Sequence, residues 1–167
     1  RQSMHKLGKQ LASETKETLR QNACSRLRTL VFDYGRIINR DQRAIERAVE
    51  AQAAAVEARL AKAPPDSPRI LHASAYDSVK GLPDDMVLSK KHLRLGSDGK
   101  RNQVSVTYSD QVYFLAKGSN ERGSAADMAR LSTMPKEYRR IYESNPDIMY
   151  WQYTSLESGF HTSYPGH

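Results

Sequence analysis

Cysteine is almost missing: Cys24 is the only one in 167 residues. An internal disulfide framework and any cysteine-built zinc site are therefore excluded. A buried free thiol is the simpler reading of Cys24, and a half-cystine with its partner outside this chain is the other. No Asn-x-Ser/Thr sequon occurs. No apolar run approaches the ~18 residues that would cross a bilayer. Aliphatic core formers are scarce too. Leu, Ile, Val and Phe together supply 31 of 167 residues beside a formal charge of +7. A chain of that composition struggles to bury enough surface alone, so a part that packs against something else is expected. Catalytic signatures are absent: no GxGxxG, GxxxxGK[ST], HExxH or GxSxG. The five histidines have no metal-ligand spacing, and Asp84-Asp85 reads as a solvated turn after Pro83. Nothing resembles an acid/base or nucleophile constellation, which makes enzyme the weaker class. The chain opens on Arg1 with no signal-like segment, and reads as a piece of something larger.

What is present is unevenly placed. Residues 1–63 carry 13 Lys/Arg against 7 Asp/Glu, whereas residues 64–167 carry 13 against 12. A basic excess raises anionic partners. The bases are interleaved with acids, however, as on the solvated face of long helices, and no nucleic-acid partner is expected. Apolar residues at three- and four-residue steps from Met4 to Val31 predict an amphipathic helix, ended or bent at Phe32-Asp-Tyr-Gly35. Asn39 with Gln42 forms a capping-box pattern for a second helix, with Ile45, Val49, Val56 and Leu60 on one face and Pro64-Pro65 closing it. Residues 64–103 hold breakers at Pro64, Pro65, Pro68, Gly81, Pro83, Gly96 and Gly99, and read as an irregular linker.

Short strands are expected at Val104–Tyr108 and Gln111–Ala116, with a polar loop at 118–123 between them and the helices that follow. Ser124 is expected to open a short helix through Leu131, and Thr133 to cap another from Pro135 to Glu143, ended by Asn145-Pro146. Met149–Thr154 and Gly159–Tyr164 form a hairpin signal, with Gly159 suited to a left-handed turn position. A turn centred on Glu157 sets Trp151 opposite Ser163 and Tyr153 opposite His161. Period two puts all four on one face, with Trp151 expected to be buried against the 135–143 helix.

The residues from Ser144 to His167 carry an Asn-Pro before a strand, then Trp151-Gln-aromatic, a glycine at the turn, and an aromatic-proline pair. This pattern resembles the stretch before the von Willebrand factor A (VWA) domain in the alpha-2-delta auxiliary subunits of voltage-gated calcium channels and the related VWA and Cache domain-containing proteins. The likeness runs without a gap from Trp151 to Pro165. The N-terminal layout agrees with that family, while roughly 65–120 has no counterpart.

The resemblance implies an α+β fold, with long N-terminal helices leading into a PAS-like (Cache) antiparallel sheet that is incomplete in this chain. Its expected organisation is helices over 1–63, the linker over 64–103, and the first part of a Cache-like domain over 104–167. It implies a non-enzymatic module on the extracellular face of a membrane. The partners would be a membrane protein such as an ion channel or receptor, and the rest of its own ectodomain. No cofactor is implied in this chain, and calcium would belong to a VWA domain beyond it. In the channel members the Cache pocket takes free amino acids and gabapentin-like drugs. Carried across, its wall comprises Trp151, Tyr153, His161 and Ser163 and would hold an amino-acid-like ligand, with the anion-clamping Arg and the amine-binding Asp beyond this chain. Two further classes compete: a Cache-type sensor domain of a chemoreceptor, and a basic helical nucleic-acid-binding protein.

Overall fold

The computed structural model describes residues 2–77, 82–118 and 121–167, apart from the side chains of Gln2, His5 and Glu121. Gly81 and the centre of the 118–123 loop lie outside the described residues. The fold is α+β. The chain divides into two units, Arg1–Ala44 and Ile45–His167.

One helix, α1 (Gln2–Leu60), replaces the two helices expected from the sequence. Gly35 does not end it and Asn39 does not cap a new one. A glycine inside a helix costs about 1 kcal/mol relative to alanine. Breaking the helix there would instead leave up to four N–H and four C=O groups without intrahelical partners, and no proline enforces a break. From Ser3 to Arg40 every described side chain of the helix is exposed. Leu27, Leu30, Tyr34 and Ile38 are exposed, and Cys24 is a free, exposed thiol rather than a buried one.

The second unit holds α2 (Ala73–Tyr76), β1 (Val87–Leu95), β2 (Arg101–Val106), β3 (Val112–Leu115), α3 (Glu121–Leu131), α4 (Pro135–Ser144), β4 (Gln152–Leu156) and β5 (Phe160–Tyr164). Strands β1 and β2 form an antiparallel ribbon, and β3, β5 and β4 form an antiparallel sheet with β5 in the centre. The stretch read as an irregular linker thus contains a nine-residue strand. Gly96 and Gly99 sit beyond the strand, in the Gly96–Lys100 turn, where Gly99 takes a positive φ of 75°.

Helix α3 starts before Ser124 rather than at it, and the Ser124 hydroxyl donates to the Ser158 carbonyl. Thr133 likewise bonds back to the Arg130 carbonyl, and Pro135 begins α4 without a side-chain cap. Asn145-Pro146 does end α4.

Alternation along the three-stranded sheet sorts its side chains. Tyr113, Phe160 and Tyr164 point to one face, where they pack with Val56 of α1, Met128 and Leu131 of α3, Met134, and Tyr138 of α4. The polar ends of this core are tied down. Tyr113 Oη donates to the Met128 carbonyl (3.1 Å) and accepts from Gln111 Nε2 (2.6 Å). Tyr164 Oη donates to the Tyr108 carbonyl (2.9 Å), and Gln152 Nε2 to the Tyr138 carbonyl (2.7 Å). Gln52 of α1 donates to the Tyr153 carbonyl (2.6 Å), fixing this part of the helix beside β4.

Gly166 closes the sheet against the loop after β2. Its N–H donates to the Thr107 and Asp110 carbonyls, and its carbonyl accepts from Thr107 N–H. A Cβ at this position would lie 2.9 Å from the Asp110 carbonyl oxygen, so only glycine fits.

Candidate functional site

The hairpin register differs from the expected one. Tyr153 pairs with Ser163, and Ser155 with His161. The turn therefore centres on Ser158 rather than Glu157, with Gly159 at φ 95°. Moving the centre by one residue moves each pair by two, so the alternation keeps its parity. Trp151, Tyr153, His161 and Ser163 still belong to one face, and Phe114 and Val112 of β3 join them through the Phe114–His161 and Val112–Ser163 pairs.

That face is turned away from α1, α3 and α4, and α2 borders it. Trp151 is therefore not buried against α4: it is half-buried on the opposite side of the sheet, and its indole N–H finds no partner among the described residues. The Trp151 ring packs edge-on to His92 (centroids 4.3 Å apart) and tilted against His167 (4.5 Å).

Over this face lies a cavity of about 620 Å³. Phe114, Trp151 and Tyr153 line it from the sheet, Leu93 and Arg94 from β1, and Asp77 from the end of α2. Of the four residues carried over from the sequence pattern, Trp151 and Tyr153 line the cavity. His161 and Ser163 do not. His161 stacks on Tyr153 (5.3 Å, 25°), and its Nδ1 meets Ser155 Oγ at 2.8 Å. Ser163 is buried with its Oγ unpartnered among the described residues.

The sequence reading placed the charged contacts of such a pocket outside this chain. The structure sets a cation, Arg94, and an anion, Asp77, around the same cavity, and neither forms an ion pair with another described residue. Neither was visible beforehand, because both lie in the stretch read as linker.

The β1 side is held by His92. This residue is fully buried, with Nε2 at 2.6 Å from the Tyr150 carbonyl and Nδ1 at 2.7 Å from Ser89 Oγ. A carbonyl only accepts, so Nε2 carries the proton and Nδ1 accepts from Ser89. Ser89 Oγ already accepts from the backbone N–H groups of Lys91 and His92. A second proton on His92 would therefore meet a hydroxyl with no free lone pair. Burial pushes the His92 pKa below its usual value and the Lys91 charge adds to this, while the Tyr150 carbonyl opposes it. His167 is lowered for the same leading reason, with Arg94 and His92 adding to it against the Pro165 carbonyl. Burial raises the Tyr76 hydroxyl well above the phenol range, Asp110 adding to the effect.

Among the described residues, no group of three His, Cys, Asp or Glu side chains is arranged to hold a metal ion, and no helix is long and apolar enough to cross a membrane. Comparison with protein-family models, curated proteins and solved structures gives no match.

Proposed function

We propose that this chain is a non-enzymatic ligand-binding and protein-contact module of the alpha-2-delta or VWA–Cache kind, working on the extracellular face of a membrane. The observation that carries the reading is the cavity on the sheet face opposite α1, α3 and α4, walled by Phe114, Trp151 and Tyr153 and flanked by Arg94 and Asp77. An aromatic wall packs well on an aliphatic side chain, and a few convergent polar groups fix orientation. Arg94 offers a planar, permanently charged fork to a carboxylate, and Asp77 offers an acceptor to an ammonium group. A free amino acid or a close analogue carries both charges and an apolar body, and is the ligand proposed.

Two serine–histidine contacts invite a catalytic reading, but chemistry favours binding for both. Ser89 is buried, and its oxygen is already saturated by two backbone donors. Ser155 and His161 are paired, but no described carboxylate is hydrogen-bonded to His161 to orient it as a nucleophile-activating base requires. Calorimetric titration of the chain with a panel of amino acids, repeated on Arg94→Gln and Asp77→Asn, tests the reading. Saturable binding weakened by both substitutions supports it; binding indifferent to both removes the assigned charges.

A further inference from the structure

A second concavity, separate from the first except for the Leu93 and Trp151 that line both, runs between the β1–β2 ribbon and the 146–151 segment. Its volume is about 730 Å³, and Lys90, Leu95, Arg101 and Tyr150 line it together with Lys91. Residues 87–106 contain five cations and one acid, Asp98. Asp98 is already occupied by the backbone N–H of Lys100 and, at 4.0 Å, by its ammonium group. Lys90 and Arg101 form no ion pair with any described residue. Leu95, directly opposite Arg101 in the ribbon register, is 70% exposed, and Tyr150 is 48% exposed.

The two walls are held together. Lys91 Nζ donates to the Pro146 carbonyl (2.6 Å), and His92 Nε2 to the Tyr150 carbonyl (2.6 Å). A groove fixed in this way loses little freedom on binding.

We propose that this groove docks an acidic peptide segment of a partner protein, one that alternates carboxylate and leucine-like side chains. Lys90 and Arg101 take the carboxylates, and Leu93, Leu95 and Tyr150 cover the apolar side chains. The cations alone would accept any polyanion. The exposed leucines decide between the classes, because a sulfated polysaccharide or a nucleic acid has no aliphatic side chain to place on them, whereas a peptide does. Among the described residues the ribbon has two strands, so each strand keeps an edge along which an extended peptide can add its backbone hydrogen bonds. Lysines at a sheet edge also act as guards against aggregation; a pure guard would bind no peptide saturably.

Trp151 is the only tryptophan, and its emission reports on the groove directly. The probe is a synthetic ten-residue peptide of alternating Glu and Leu, titrated into the full chain. The expected result is a saturable emission change that weakens about tenfold or more in K90E/R101E, weakens also in Leu95→Ser, and survives in Tyr153→Ala, which touches only the first cavity. Several results would overturn the proposal: no saturable change, equal or tighter binding of oligo-glutamate or of a sulfated oligosaccharide, indifference to the charge reversals, or loss of binding in Tyr153→Ala. Amino-acid binding in the first cavity is measured separately on Arg94→Gln, so failure of either site leaves the other standing.

Discussion

The two faces of the β3–β5–β4 sheet are both aromatic, yet they do opposite things. On the helix-covered face, Tyr113, Tyr138 and Tyr164 are fully buried and each hydroxyl has a partner. Burial pushes all three phenols above their usual range. On the other face, Tyr153 is 52% exposed, Trp151 is half-buried, and a charged rim surrounds them. Aromatic content by itself therefore does not separate core from site. The separating feature is whether the polar end of each ring is satisfied inside the fold: a buried hydroxyl without a partner costs free energy, so core tyrosines are always paired.

The sharpest way to break this comparison is to truncate one ring on each face. Tyr138→Ala and Tyr164→Ala should each cost on the order of 3–5 kcal/mol, the range for removing a large buried ring. Trp151→Ala should cost less, on the order of 1–2 kcal/mol, since its ring is only partly buried and packs on two histidines rather than inside the core. Chemical denaturation of the three variants checks the order; equal costs would erase the distinction between the faces.

Between these lies Gly166→Ala. Its Cβ would press on the Tyr76 hydroxyl and on the Asp110 carbonyl in a segment held by three backbone hydrogen bonds, and it should cost about 1–3 kcal/mol; because Tyr76 also lines the first cavity, binding there should weaken with it.

A smaller effect comes from pH. His92 and His167 have folded pKa values below their unfolded value near 6.5. Above that value both states are neutral, and stability is fully present. As pH falls below it, the unfolded chain takes up protons first and stability declines. Denaturant midpoints measured between about pH 7.5 and 5.5 should fall, and less steeply in His167→Gln. A profile unchanged by the substitution would remove His167 from the account.

How much of this was legible in the sequence follows from where the period-two signal survives. In 151–163 it survives intact, so the face shared by Trp151, Tyr153, His161 and Ser163 could be read even though the turn centre was one residue off. In β1 it does not. The register shifts between Leu88 and Leu93, an irregularity that breaks the alternation of Leu-Ser-Lys-Lys-His-Leu-Arg-Leu and makes a strand look like linker. Arg94 was lost with it, and the charged side of the cavity stayed hidden. Cys24 and Gly35 failed for another reason. An apolar stripe shows which face of a helix is greasy, but not whether anything covers it, and a lone glycine shows a cost but not whether the chain accepts it. The composition suggested a chain that needs a partner surface. The structure locates exposed apolar side chains on α1 at Leu27, Leu30, Tyr34 and Ile38, and places a packed core in Ile45–His167.

The central proposal is that the sheet face opposite α1, α3 and α4 is a binding surface built on a scaffold that does not need it. The most direct measurement is calorimetric titration of wild type and Tyr153→Ala with the same panel of amino acids, beside their melting temperatures. The account predicts a melt within a few degrees of wild type and binding weakened tenfold or more. Wild-type affinity in a normally folded Tyr153→Ala would contradict it.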